Sequence, residues 1–213
     1  MIPTRDKREY VDVSSGSGKR ADPVILDLMN NGIKLTTERS GILFDIDGDG
    51  KKEEIAWTNT QREFDDAFLV YDQNNNGKID NGKELFGDEP ENGIENGIVK
   101  LALHDTNKDN VINKDDEIYD KLAVWCDMNR NAAVDNNPLK NNEMISLEDA
   151  GILEISLEYL VEYDKYGYIL EQRNSEIGRQ GTFKRAIYEI IDGVKTLIET
   201  ITGKLYDVFF AIF

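Results

Sequence analysis

Four stretches of the chain place oxygen-bearing side chains at alternate positions. The first is Asp45-Ile46-Asp47-Gly48-Asp49-Gly50-Lys51-Lys52-Glu53-Glu54. The second is Asp72-Gln73-Asn74-Asn75-Asn76-Gly77-Lys78-Ile79-Asp80, followed by Glu84. The third is Asp105-Thr106-Asn107-Lys108-Asp109-Asn110-Val111-Ile112-Asn113, followed by Asp116. The fourth is Asp127-Met128-Asn129-Arg130-Asn131-Ala132-Ala133-Val134-Asp135, followed late by Glu143. This spacing suits a hard cation. Ca²⁺ takes about six to eight oxygens, and a loop with side-chain ligands at its first, third and fifth positions, a carbonyl at the seventh and a carboxylate near the twelfth wraps one ion. The sixth position turns sharply, which favours glycine and next asparagine. Mg²⁺ fits less well, because it keeps its waters and rarely uses an all-protein cage.

Each stretch supplies a specific ligand set. The first offers Asp45, Asp47, Asp49 and the Lys51 carbonyl, but its twelfth residue is Ala56, so Glu53 or Glu54 must close a shortened loop. The second offers Asp72, Asn74, Asn76 and the Lys78 carbonyl, with Glu84 one residue later than the template. The third offers Asp105, Asn107, Asp109 and the Val111 carbonyl, with Asp116 at the twelfth position and Asn110 at the sixth. The fourth offers Asp127, Asn129, Asn131 and Glu143, but Ala132 stands at the sixth position and a polar insertion, 136–142, delays Glu143. Asp/Asn/Gly clusters also occur as plain turns. Three well-formed windows between residues 45 and 116 favour calcium for the set, while the fourth stays open between the two readings.

Composition narrows the alternatives. The chain has 213 residues, with 25 Lys and Arg against 42 Asp and Glu, a net charge of −17. Such a surface repels nucleic acid and anionic lipid. No apolar run approaches the roughly 18–20 residues of a membrane span. Residues 1–10 are charged and carry no hydrophobic stretch, so no Sec signal peptide is visible. The single cysteine, Cys126, excludes an internal disulfide framework, and the single histidine, His104, excludes a His-rich zinc site. Beside Trp125, Cys126 reads as a small buried residue. His104 reads as a surface or helix-end histidine before it reads as a general acid.

The elements that must position these loops read as an α+β fold of short strands and helices carrying several EF-hand-like loops. Residues 1–21, with Ser14-Ser15-Gly16-Ser17-Gly18, read as a flexible arm, and 22–213 as the module. Val24–Leu26, Ile33–Leu35, Ile42–Phe44, Glu54–Trp57, Phe68–Tyr71 and Gly151–Tyr159 read as strands. Residues 83–86 suit one helical turn, and 94–104 and 115–122 suit short helices flanking the third loop. Asp164–Gly167 is a hairpin signal with a return strand over 168–172. Apolar residues recur at three and four from Phe183 to Ile201, so 183–202 reads as an amphipathic helix stopped by Gly203. The apolar tail, 208–213, reads as core, or less readily as an uncleaved C-terminal secretion signal.

Several segments together resemble a known family. They are Asp22-Pro23-Val24-Ile25-Leu26-Asp27, Phe44 through Gly50, Asp72 through Gly77, Glu84-Leu85-Phe86-Gly87-Asp88, Leu122 through Trp125, Ser146 through Ile155 and Gly181-Thr182-Phe183. Their order and spacing resemble the self-processing modules of RTX-type, haemolysin-like, iron-regulated secreted proteins of Gram-negative bacteria. The resemblance implies a Ca²⁺-dependent module that cuts its own chain at an Asp-Pro bond, here Asp22–Pro23, and joins the new C-terminal Asp to a lysine on a protein surface. It also implies a secreted or cell-surface location. Where the family usually has another acidic turn after Asp27, this chain has Met29-Asn30-Asn31-Gly32, a departure that implies weaker calcium binding or one site fewer.

The chemistry of that bond follows from its atoms. The Asp22 carboxylate can reach its own carbonyl carbon and close a five-membered cyclic anhydride, an intramolecular attack with high effective molarity. The proline nitrogen leaves as a secondary amine and needs a proton. Water or a lysine amine then opens the anhydride. The competing expectation is a calcium-binding structural module that folds on meeting external Ca²⁺ and does no chemistry.

Overall fold

The computed structural model describes residues 20–36, 42–60, 63–135, 142–161, 176–191 and 194–211. Eleven strands and one short α-helix occur among them, in the order β1 (Arg20–Ala21), β2 (Val24–Asp27), β3 (Ile42–Phe44), β4 (Glu53–Ile55), β5 (Asp66–Tyr71), α1 (Gly97–Ala102), β6 (Val111–Asn113), β7 (Leu122–Trp125), β8 (Met144–Ser146), β9 (Ile152–Val161), β10 (Glu176–Ile191) and β11 (Val194–Ala211). Nine of the strands form one antiparallel sheet, β6-β9-β10-β11-β2-β5-β7-β8, with β1 added to β11. Strands β3 and β4 form a separate hairpin.

The central strands read as unbroken apolar runs because both of their faces are covered. Successive side chains point to opposite faces, and the packing follows. Val24, Leu26, Ala67, Leu69, Leu122 and Val124 join one core, with Ile98 and Leu101 of α1. Ile25, Phe68, Val70 and Trp125 join the other, with Phe44, Ile55 and Trp57 from the β3–β4 hairpin and its exit. There Trp57 stacks within 4.8 Å of Phe68 and 5.6 Å of Trp125, measured between ring centroids.

The α+β expectation is overturned: among the described residues the fold is almost all β. Loop three is not held between two helices. It follows the six-residue α1, and its exit contains β6, which pairs with β9. The second expected helix is reduced to a 3₁₀ turn, Tyr119–Lys121. Residues 83–86 likewise give a 3₁₀ turn, Gly82–Glu84. Expected strands appear as β2, β3, β4, β5 and β9. Leu35 makes only an isolated bridge to Thr58.

The expected C-terminal helix is instead two long strands, β10 and β11, paired from Glu176↔Phe209 to Ile191↔Val194. Its apolar spacing was compatible with a helix, but β-branched Ile, Val and Thr dominate residues 187–202, and they lose χ1 freedom in helices and suit pleated strands. Burial also refutes the helical face. Phe183 is buried, while Ile190 is 69% exposed and Val194 63%. Gly203 is no helix stop. It lies opposite Phe183, whose ring would sit 2.3 Å from a Cβ at that position. The hairpin signal at 164–167, the strand at 168–172 and residues 1–19 of the expected arm, 1–21, lie outside the described residues, while Arg20–Ala21 form β1.

Candidate functional site

The four loops share one hydrogen-bond scheme, built from the residues picked out by spacing. In each, the first carboxylate accepts from the backbone N–H of the sixth residue. The distances are 3.0 Å for Asp45 to Gly50, 2.7 Å for Asp72 to Gly77, 3.0 Å for Asp105 to Asn110 and 2.8 Å for Asp127 to Ala132. The fifth side chain accepts from the seventh N–H: Asp49 from Lys51, Asn76 from Lys78, Asp109 from Val111 and Asn131 from Ala133. Third-position oxygens of Asp47, Asn74 and Asn107 accept from the fifth N–H of their loops. Asn129 instead donates to Asp135 at 2.5 Å.

The fourth and sixth residues of every loop are left-handed: Gly48 and Gly50, Asn75 and Gly77, Lys108 and Asn110, Arg130 and Ala132. An alanine at φ 53 costs more than glycine would, and loop four adopts the turn nonetheless.

The closing carboxylates also repeat. Glu84 accepts from the N–H groups of Gln73 and Asp80, Asp116 from Thr106 and Asn113, and Glu143 from Met128 and Asp135. In every case these are the second and ninth residues of the loop. Glu143 therefore closes loop four despite its late position. Glu53 accepts from Ile46 at 3.4 Å and closes loop one in the same sense. Asp127 carries an additional clamp, the Trp57 indole N–H at 2.8 Å. Burial pushes the Asp127 and Glu143 carboxyls up, while Asn74 and Asn76 hold Asp80 down.

A fifth turn of the same shape follows β2, and sequence reading missed the residues that complete it. Asp27 accepts from Asn31 N–H at 3.0 Å and Gly32 N–H at 2.7 Å, and Asn30 and Gly32 are left-handed. The third-position side chain is Met29, so no local carboxylate completes the set. Asp65 and Asp66 arrive from the start of β5. Asp65 accepts from Met29 N–H and the Asn31 amide, and Asp66 from Lys34 N–H. Oxygens of Asp27, Asp65 and Asp66 lie within 4.8 Å of one another, and all three residues are buried. Burial pushes Asp66 up to about 7. The Asp65-Asp66 pair was the only local signal, and its partner lies 38 residues earlier in the chain.

The residues fit a hard divalent cation. Every donor group is an oxygen, Asp45, Asp47 and Asp49 converge within 4.8 Å, and one oxygen of the buried Asp66, Oδ1, has no hydrogen-bond partner among the described residues.

Asp22 and Pro23 sit between β1 and β2, both buried. Asp22 Oδ1 accepts from the Asp88 N–H. The Val208 N–H donates to the Pro23 carbonyl at 3.1 Å, and Val24 N–H to the Phe86 carbonyl at 2.8 Å. Gly87 lies beside the Asp22 carbonyl: a Cβ there would stand 3.7 Å from the carbonyl carbon. The bond is thus gripped on one side by β11 and on the other by the Phe86–Asp88 segment. Burial, then the nearby Asp207 and Asp88 carboxylates, push the Asp22 carboxyl up to about 10. His104 packs edge-on to Phe86, with its pKa lowered by burial, Lys100 and Lys121. Cys126 is buried, which pushes its thiol up to about 12 and leaves it unsuited to nucleophilic work.

The sequence family described as SPM domain matches residues 24–191. The iron-regulated protein FrpA of Neisseria meningitidis serogroup C is 36% identical over 151 residues, which is 68% of this chain and 13% of that protein. The chain therefore spans only a small part of the relative's length. A match over most of the chain, joined to a relative with more than a third of its aligned residues identical, settles the relationship: this chain belongs to the SPM domain family.

Proposed function

We propose that the chain is a calcium-folded self-processing module of a secreted or cell-surface RTX-type protein, which cuts its own Asp22–Pro23 bond and can join Asp22 to a lysine of a partner. The observation that carries this reading is the grip on that bond: a buried Asp22 fixed by the Asp88 N–H, with the Pro23 carbonyl held by Val208 and Gly87 leaving the Asp22 carbonyl carbon uncovered.

The chain's own groups account for both needs of the reaction. A carboxyl kept protonated near neutral pH holds the proton that the leaving proline nitrogen requires. Passing that proton to the nitrogen leaves a carboxylate positioned to attack its own carbonyl carbon. The C–N bond breaks, the electron pair stays on the now protonated proline nitrogen, and a cyclic anhydride remains at Asp22. Water opening it restores a free carboxyl terminus, and a lysine amine opening it forms an isopeptide. Fewer than about 0.1% of ordinary lysines are neutral near pH 7, so ligation needs an amine held close or partly desolvated.

Bound Ca²⁺ would supply charge neutralisation, letting the acidic loops close and the sheet form around the bond. Several Asn ligands mean few carboxylates per loop and weak sites, which suits the calcium-rich exterior of a cell. The test is to add millimolar Ca²⁺ to the purified chain and follow it by denaturing gel and mass spectrometry. Loss of residues 1–22, abolished by Asp22→Ala and by chelator, is the expected result. An intact chain that gains structure with Ca²⁺ would leave a structural calcium module instead.

A further inference from the structure

The segment that faces Asp22, Phe86–Asp88, belongs to no strand or helix. The Phe86 carbonyl accepts from the Val24 N–H at 2.8 Å, Asp88 donates its N–H to Asp22, and Gly87 lies beside the Asp22 carbonyl. Their placement is therefore set by what holds their neighbours. Leu85 bridges to Val70 on one side, and Glu89 bridges to Ile94 on the other. Lys100 of α1 ties the two sides together. Its Nζ donates to the Leu85 carbonyl at 2.8 Å and to the Lys83 carbonyl at 3.2 Å, and it meets Glu89 Oε1 at 2.8 Å. An ammonium has three donors, and these partners use all three. They flank Phe86–Asp88, so one side chain staples both ends of the segment. Lys100 is itself firmly placed. The Asn96 side chain caps α1 at the Val99 N–H, the Asn96 carbonyl accepts from the Lys100 N–H at 3.0 Å, and Gly97 lets the helix start against the Phe86 carbonyl, where a Cβ would collide. Glu89 is fixed as well, since its other oxygen takes the Asn92 amide at 2.9 Å. The Lys100 side chain is 12% exposed, so water competes little for these bonds and they hold better than a surface ion pair.

We propose that Lys100 is a positioning residue for the Asp22–Pro23 bond: by tying Lys83, Leu85 and Glu89 together it holds Phe86–Asp88 against Asp22. It touches none of the reacting atoms and acts through the backbone it clamps. The Asp88 N–H holds one oxygen of Asp22 and so sets where the other points. Attack of that carboxylate on its own carbonyl carbon depends on alignment, and a displacement of about 1 Å can cost about a hundredfold in rate. A group that must be aligned this closely needs support from side chains whose own bonds are satisfied, as those of Lys100 are. The rate half of this inference rests on the self-cleavage reading; the placement half does not.

The experiment compares the full chain with Lys100→Met, which keeps the apolar stem and removes the three donors. Cutting is timed on denaturing gels at saturating Ca²⁺, where both chains are folded, so lost stability does not enter the rate. Amide hydrogen exchange is followed residue by residue by NMR in a Pro23→Ala background, which stays uncut. Lys100→Met should cut about tenfold to a hundredfold more slowly. Its Asp88 and Val24 amides should exchange about tenfold faster, while those of the β5–β7 pair keep the parent's protection. A lysine that merely stabilises the fold would loosen the β5–β7 amides to the same degree, and that result overturns the proposal. So do parent rates of both cutting and Asp88 exchange. Faster Asp88 exchange with cutting at the parent's rate refutes the rate half alone. If Lys100→Met fails to fold, Glu89→Gln, which turns the ion pair into a neutral hydrogen bond, should show the same local loosening and slowing at smaller amplitude; parent-like behaviour of that variant overturns the proposal. A parent chain that never cuts refutes the self-cleavage reading, and the exchange at Asp88 then decides the placement by itself.

Discussion

At Asp22 three acidic groups, Asp22, Asp88 and Asp207, meet where water is scarce, and the proton held there has a measurable signature. The folded chain keeps it up to about 10, whereas the unfolded chain releases it near 3.8. Between those limits the unfolded state binds fewer protons, so this group makes stability fall as pH rises. Replacing Asp22 by Asn removes that slope. In a Pro23→Ala background, which blocks loss of the proline amine, Asp22→Asn should gain stability progressively between about pH 5 and about pH 9, read as urea midpoints in Ca²⁺. A constant difference across that range would place an ionised Asp22 in the folded protein.

The shared turn geometry of the four loops was legible in sequence because each requirement is local: an oxygen at alternate positions, a left-handed sixth residue, a closing acid. Even Glu143 was identifiable, since only the length of the insertion before it is unusual. Asp65 and Asp66 were not, because strand pairing alone brings them to Asp27.

Among the elements, the strands of the central sheet announced themselves as short apolar runs ended by acidic turns. The β10–β11 pair did not, because its apolar spacing satisfies a helix and a hairpin alike. Two local signals favoured the hairpin. One is the β-branched content, and the other is Asp192-Gly193 between Ile191 and Val194, a dipeptide suited to two-residue turns. The two readings differ in a single substitution. In an exposed helix end Gly203→Ala would stabilise by up to about 1 kcal/mol. In the strand pair the new methyl meets the Phe183 ring at 2.3 Å, and displacing a buried aromatic ring should cost about 1–3 kcal/mol. Chemical denaturation in Ca²⁺ decides the sign.

On the scale of the whole chain, a charge of −17 opposes compaction, and the distribution of that charge decides what relieves it. Monovalent salt screens over about 10 Å at 0.1 M. The loop-one carboxylates and the buried triad each lie within 4.8 Å, inside that distance, so screening barely reaches them, while a bound divalent ion acts at contact. Ca²⁺ should therefore shrink the radius of gyration and raise the β signal in circular dichroism. Sodium chloride at matched ionic strength should deliver only a small part of either change. Equal responses, by small-angle scattering and dichroism, would mean diffuse repulsion rather than specific ligation.

The crowding of Asp88 and Asp207 around Asp22 also bears on whether a cut can be undone. Scission would turn the neutral tertiary amide nitrogen of Pro23 into a secondary ammonium, a cation born beside two acids. It would also remove the third acid, which would depart with the severed arm. The product end would thus be held by attraction, where in the uncut chain the two acids face an uncharged carboxyl. Such an asymmetry would make the step a ratchet: the arm would leave, and the new terminus would stay home.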